Sequence, residues 1–208
     1  MANYFGEIAF GEASKVMQEK VCSRASYARA EKVSFWDGLT HNESSFIAER
    51  DSFYMASITE SGFPYVQHRG GPKGFLKVLD SKRLGFIDFK GNMQFISIGN
   101  FETNNHVSLF LMDYPNKARL KIFAKAEVVE LKNEQGLYDL LDLKDYKFRP
   151  ERMIILHIEA YDWNCSQHIT PRFEVEEIEE LLSPQREYIA QLEAKIKELE
   201  HKKAASVS

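Results

Sequence analysis

The densest concentration of reactive residue types in the chain is Gln67-His68-Arg69-Gly70-Gly71-Pro72-Lys73-Gly74. Glycines let a backbone approach a ligand closely and aim its N–H groups, and an arginine grips phosphate oxygens through two parallel donors. Those are the parts of a phosphate cradle. Neither a Walker A string nor GxGxxG is present, so the same residues also read as a Gly-Pro connection after a strand. A second polar group follows: Asp88, Lys90, Asn92, Gln94 and Ser97 sit where a strand ends and a short helix begins. Their amides and hydroxyl can exchange hydrogen bonds with a heterocycle, a polyol chain or a phosphate, and a helix start adds donors that favour an anion. A third group, Trp163, Gln167, His168, Thr170 and Arg172, follows the last strand and also reads as the loop leading into the tail.

Other chemistries are excluded or weakened. The histidines at 41, 68, 106, 157, 168 and 201 form no HExxH, HxH or His/Cys spacing, so no metal is expected. GxSxG is absent and nothing marks a nucleophilic triad. Cys22 and Cys165 form no CxxC and read as free thiols, small half-buried hydrophobes. Lys plus Arg is 27 against 31 Asp plus Glu, a net charge of −4, so no basic field recommends the chain to nucleic acid and any anion site must be local. No apolar run approaches the roughly 20 residues that span a bilayer, and Met1 to Phe10 lacks a basic start followed by an apolar stretch. The expectation is a cytoplasmic protein without a membrane segment.

The elements that must position these groups are legible from periodicity. Phe10, Ala13, Met17, Val21, Arg24 and Ala28 alternate steps of three and four, a helix of about four turns packed on the main body. After a turn around Trp36, Asp37 and Gly38, Thr40-His41-Asn42-Glu43 matches a capping box and opens a helix that carries Phe46 and Ile47 and ends near Asp51. Then the period becomes extended, with strands at Ser52 to Thr59, Tyr65 to His68, Phe75 to Leu79, Leu84 to Phe89, Val107 to Met112, Ala118 to Leu131 and Met153 to Tyr161. A small helix falls at Leu137 to Leu141. This hairpin-like order suggests an antiparallel barrel or sandwich, and the lack of βαβ alternation counts against a Rossmann-type domain. In the tail, Glu174 to Glu180 reads as an acidic solvated helical face, and Ser183 and Pro184 read as N-cap and first residue of a helix to about Lys202. Ile178, Leu182, Gln185, Ile189, Leu192, Ile196 and Leu199 form a heptad seam that either docks on its own barrel or pairs with another subunit.

The strings PYVQHRGGPKGFLKVLD, DFKGNMQFISIGN and QHITPRF, with Val107-Ser108-Leu109 between them, resemble the pyridoxamine 5′-phosphate oxidase-like FMN-binding split-barrel family over roughly Phe46 to Trp163. The resemblance implies a mainly β fold, an antiparallel six-stranded split barrel flanked by an N-terminal helix and a long C-terminal helix. It divides the chain into an N-terminal helical segment, 1–42, a barrel domain, 43–172, and a helical tail, 173–208. It also implies a homodimer with FMN at the subunit interface. Carried over by position, Gln67, His68 and Arg69 contact the flavin and its phosphate, Lys77 falls near the family's second basic position, and Asp88, Asn92, Gln94 and Ser97, with Lys90 beside them, line the ribityl and phosphate part. Trp163 and Arg172 would reach over from the second subunit.

The implied function is an FMN-dependent oxidoreductase of unassigned substrate, the alternative being a non-catalytic flavin, deazaflavin or haem carrier or redox sensor on the same barrel. The oxidases that name the family carry an Arg-hydrophobic-Lys strand, a Ser-Arg-Lys triplet and an Arg-x-His motif. This chain has the His-Arg-Gly-Gly loop, Gly91-Asn92-Met93-Gln94 and Gln167-His168-Ile169-Thr170-Pro171-Arg172 instead. These departures count against vitamin B6 phosphate oxidation, whereas FMN binding keeps its basic and amide groups.

Overall fold

A computed structural model describes residues 5–33, 37–163 and 166–205; the turn expected at Trp36 and the thiol of Cys165 lie outside them. The order of elements is α1 (Phe5–Ala9), α2 (Glu12–Lys20), α3 (Arg24–Val33), α4 (His41–Ala48), β1 (Ser52–Ile58), β2 (Pro64–Gly70), β3 (Lys77–Asp80), β4 (Arg83–Phe89), α5 (Ile96–Thr103), β5 (His106–Asp113), β6 (Ala118–Val129), α6 (Gln135–Leu141), β7 (Pro150–Trp163) and α7 (Val175–Ala205). The chain divides into two compact units. One comprises Met1–Asp113 with Lys117–His168, and the other Tyr114–Asn116 with Ile169–Ser208.

The first unit is built on one antiparallel sheet of seven strands in the order β2-β1-β5-β6-β7-β4-β3. Strands β1, β5 and β6 alternate, burying Phe53 and Met55, Val107, Leu109 and Leu111, and Leu120 and Ile122. Period two places these on one face. Strands β4 and β7 instead read as nearly continuous apolar runs because both of their faces are covered. Leu84, Phe86, Ile154 and Leu156 join the main core, while Ile87, Met153 and Ile155 pack with Leu141 of α6 in a second cluster.

The ends of the sheet meet through side chains. Phe53 of β1 lies edge-on to Phe86 of β4 with ring centroids 5.5 Å apart, and Arg69 of β2 is ion-paired with Asp88 of β4. No backbone ladder joins β2 to β4, so the barrel is split, and the sheet carries seven strands where the family resemblance implied six. The additional strand is the four-residue edge β3, whose register against β4 is interrupted by a bulge between Val78 and Asp80.

Three local readings are corrected. The expected four-turn N-terminal helix is broken at Val21 and Cys22, where Cys22 adopts φ 58°, and Met17 and Val21 of its stripe are exposed. It is Phe5 of α1 that reaches the sheet, stacked at 4.5 Å on Phe123. Cys22 is exposed rather than half-buried. In the second unit α7 runs unbroken through Pro184, so Ser183 is not its N-cap. The helix instead opens where Glu177 accepts a hydrogen bond from the Glu174 backbone N–H at 2.8 Å and Ile178 N–H donates to the Glu174 carbonyl. No described helix is long and apolar enough to cross a membrane.

Candidate functional site

The strand ends of β2 and β4 and the start of α5 frame one open groove. Strand β2 alternates, and its half-buried set, Tyr65, Gln67 and Arg69, points inward because Met55 and Phe53 of the core stand directly opposite Gln67 and Arg69. On β4, Asp88 follows Phe86 on the same face and is 5% exposed. Between β4 and α5 the chain turns tightly. Asn92 accepts from the Gln94 backbone N–H at 3.2 Å, and Met93 and Phe95 adopt positive φ of 60° and 52°. Such values are unusual for non-glycine residues and hold the segment in a fixed turn.

The polar groups are ordered among themselves. Ser97, buried in the first turn of α5, donates to Gln67 Oε1 at 2.7 Å and fixes that amide. Asp88 takes Arg69 on one carboxylate oxygen and Arg152 of β7 on the other, the latter at 3.5 Å. Arg152 is also paired with Glu151 at 3.1 Å and lies over the Phe95 ring at 5.1 Å. Formal charges in this cluster balance, two arginines against two carboxylates. One donor is left over, because the buried Nε of Arg69 has no acceptor among the described residues. The groove encloses about 90 Å³ and includes Gln67, Arg69, Asp88, Asn92, Gln94 and Ser97 in its lining. That is far below the roughly 300–1,000 Å³ typical of small-molecule sites.

The other anticipated residues lie elsewhere. His68 stands on the alternate side of β2, its ring 5.5 Å from Tyr54, and borders an adjoining pocket with Arg69, Phe86 and Asp88. Lys77 is register-paired with Gly85, so it shares the sheet face opposite Asp88. Lys90 is exposed and lines a neighbouring concavity with Phe89, Tyr146 and Phe148. Trp163 closes the far end of β7, donating to Glu43 Oε1 at 2.7 Å and packing edge-on against Phe46. Arg172 belongs to the second unit and lies over the Tyr114 ring at 4.9 Å. The glycine-rich loop is not an open cradle: Gly71 and Gly74 donate their N–H groups to the carbonyls of Asp51 and Arg50. A Cβ on Gly71 would come within 2.7 Å of Phe75, and Gly74 has φ +75°, so both glycines serve local packing. Among the described residues no cluster of three or more His, Cys, Asp or Glu could hold a metal.

Sequence reasoning missed Arg152 and Glu151. Their only signal was a charged pair immediately before the apolar run Met153 to Leu156, which fixes neither the partner strand nor the register.

The family model described as pyridoxamine 5′-phosphate oxidase matches residues 39–158, more than half of the chain. The chain belongs to the pyridoxamine 5′-phosphate oxidase family. Similar solved structures include a candidate pyridoxamine 5′-phosphate oxidase from Lactobacillus delbrueckii, 22% identical, covering 61% of this chain and 95% of its own, with TM-score 0.47. HupZ of group A Streptococcus is 14% identical over 65% of this chain and 99% of its own, with TM-score 0.47. An FMN-binding protein from Syntrophomonas wolfei is 13% identical over 72% and 97%, with TM-score 0.44. No curated protein matches the chain.

Proposed function

We propose that this family member is a cytoplasmic FMN-binding flavoprotein and oxidoreductase of unassigned substrate, working as a homodimer with FMN between the subunits. The observation that carries the reading is the groove itself: Gln67 oriented by Ser97, the amides of Asn92 and Gln94, and Arg69, whose buried Nε is unsatisfied, line one strand-end region. Buried donors are rarely left without acceptors, so an orphaned guanidinium N–H beside a groove supports a ligand oxygen there. Family membership supports the same chemistry.

The residues fit FMN. Gln67, Asn92 and Gln94 offer the mixed donors and acceptors that a ring edge and a polyol chain need, and Arg69 offers a charge-assisted bond to a ring carbonyl or phosphate oxygen. Because Arg69 and Arg152 are neutralised by Asp88 and Glu151, a doubly charged phosphate needs a further cation, with Lys90 adjoining and the second subunit as the sources. The small volume of the groove supports a second subunit completing the wall. When bound, the isoalloxazine supplies hydride and electron transfer, and the protein's part is to bind it, orient it and exclude water.

The test is the absorbance spectrum of the purified full chain, release and identification of any chromophore, and FMN titration of wild type and Arg69→Lys. Lysine keeps the charge for Asp88 but lacks the Nε donor. The expected result is stoichiometric FMN in the wild type and roughly ten- to hundredfold weaker binding in the variant, the worth of a charge-assisted hydrogen bond. A colourless protein that binds no FMN overturns the proposal, as does release of deazaflavin or haem; unchanged affinity in Arg69→Lys removes the assigned role of Nε.

A further inference from the structure

The helix α7 continues through Pro184 back to Val175, and this extends the heptad seam by a full repeat beyond Ser183. Val175, Leu182, Ile189 and Ile196 occupy one core position of the repeat, and Ile178, Gln185, Leu192 and Leu199 the other, with steps of three and four throughout. A seam sustained this long is the mark of a coiled-coil strand. Each of its apolar members is at least 36% exposed, so the stripe is displayed along the helix. Pro184 falls at an outer position of the heptad, where its missing N–H costs a helical bond without interrupting the phase of the seam.

We propose that α7 is one strand of a parallel, in-register, two-stranded coiled coil whose other strand is α7 of a second copy of this chain. Three features choose this occupant and this direction. First, isoleucine at the first core position with leucine at the second, as in Ile189-Leu192 and Ile196-Leu199, selects two strands rather than three or four in a parallel coil. Second, Gln185 is the only polar core residue. In parallel register it meets its own copy, and two amides satisfy each other as donor and acceptor; with the helices antiparallel and the ends of the seam matched, Val175 against Leu199, Gln185 would face Ile189 and remain unsatisfied. Third, the flanking charges agree. The antiparallel arrangement sets Arg186 against Arg186 and Glu193 against Glu179, whereas the parallel one sets Leu181 against Arg186 and Tyr188 against Glu193. A barrel surface on the same chain has no requirement for a heptad or for a single central glutamine. This inference does not depend on the cofactor.

The test uses the full-length chain with Cys22→Ser and Cys165→Ser, so that the only thiols are introduced ones. Leu192→Cys is expected to form a disulfide-linked dimer in high yield under mild oxidation, because the parallel register places position 192 beside its own copy. Glu187→Cys, on the outer surface of the same helix, is expected to link at least tenfold less. Adding Ile189→Asp to Leu192→Cys is expected to abolish the link while circular dichroism shows the β-sheet retained. Linking by the pair Leu182→Cys with Leu192→Cys, without linking by Leu192→Cys alone, reveals an antiparallel pair and overturns the proposal. Equal linking at 187 and 192, or no linking in a folded chain, overturns it too, the latter pointing to docking on the chain's own barrel. None of these readouts involves FMN, so the cofactor reading stands or falls separately.

Discussion

Strand β7 runs between two buried carboxylates that are satisfied in opposite ways. At its end, Glu43 of α4 is 4% exposed and is surrounded by neutral donors: the Thr40 backbone N–H at 3.0 Å, the Thr40 hydroxyl, Asn42 Nδ2 at 3.3 Å and Trp163 Nε1 at 2.7 Å. Near its start, Asp88 is 5% exposed and meets two arginines, one of which retains an unfilled donor. Glu43 is supplied mostly by its own capping box and closes on itself, so it fastens α4 to β7. Asp88 draws its partners from β2 and β7 and leaves capacity over at the edge of a groove. A closed network builds a joint; an open one at a groove frames a site.

The largest effect should come from breaking the open network. Asp88→Asn keeps the shape but leaves the partly buried Arg69 guanidinium without its anion and Arg152 with Glu151 alone, an error that costs about 3–5 kcal/mol when a buried pair is broken. Urea unfolding at neutral pH measures it. FMN affinity of the same variant sharpens the comparison: if Asp88 aims Arg69 at the groove, affinity falls at least tenfold despite the gain in positive charge. Tighter FMN binding would show that Asp88 only neutralises Arg69.

The closed network should answer to pH instead. Burial alone would raise the Glu43 carboxyl, but hydrogen bonds from the Thr40 hydroxyl, Trp163, the Thr40 backbone and Asn42 outweigh it and hold the group at about 2 against an ordinary 4.5. A depressed carboxyl contributes stability above its unfolded value, here about 3 kcal/mol, and loses it as pH falls from 4.5 towards 2. Glu43→Gln should therefore cost about 2–3 kcal/mol at pH 7, and the gap between wild type and variant in urea unfolding should shrink across that acid window. Tyr161 works in the other direction. Burial first, then the Glu43 charge and the hydrogen bond to it, push the phenol to about 12, so its contribution is present below 10 and lost as pH climbs from 10 towards 12. A gap that stays constant from pH 7 to 3 would show that Glu43 is not held by these donors.

The two networks also differ in how they could be read. Thr40-His41-Asn42-Glu43 is a local motif whose geometry follows from spacing alone, and the capping box forms as expected. The seven extended runs were legible for a similar reason, since alternation in β1, β5 and β6 is imposed by one buried face. The grouping of Gln67 and Arg69 with Asp88, Asn92, Gln94 and Ser97 was legible as two polar clusters at successive strand ends. What decided their arrangement was not: Arg152 joins Asp88 across 64 residues through the β4 to β7 register, which no local pattern encodes. Alternation likewise separates His68 from its neighbours Gln67 and Arg69, a distinction visible only once the inward face of β2 is known. Pro184 misled because a proline is favoured at the first turn of a helix, while here the flanking turns of α7 hold their helical phase across it.

The smallest expected effect is also the most selective. The Ser97 hydroxyl donates a hydrogen bond to Gln67 Oε1 across 30 residues, and Ser97 itself is 3% exposed. Ser97→Ala removes one hydroxyl from a buried position and leaves a side-chain amide oxygen with room to rotate towards solvent, so stability should fall by only about 1 kcal/mol. The amide, however, loses the contact that fixes its direction. If Gln67 recognises a ligand edge, the cost should therefore appear in binding: roughly five- to tenfold weaker FMN affinity with nearly unchanged urea unfolding. Gln67→Ala should weaken FMN by a similar factor, and the double variant should be no worse than Gln67→Ala alone, because the serine acts only through the glutamine. Additive losses in that cycle would mean that Ser97 touches the ligand itself.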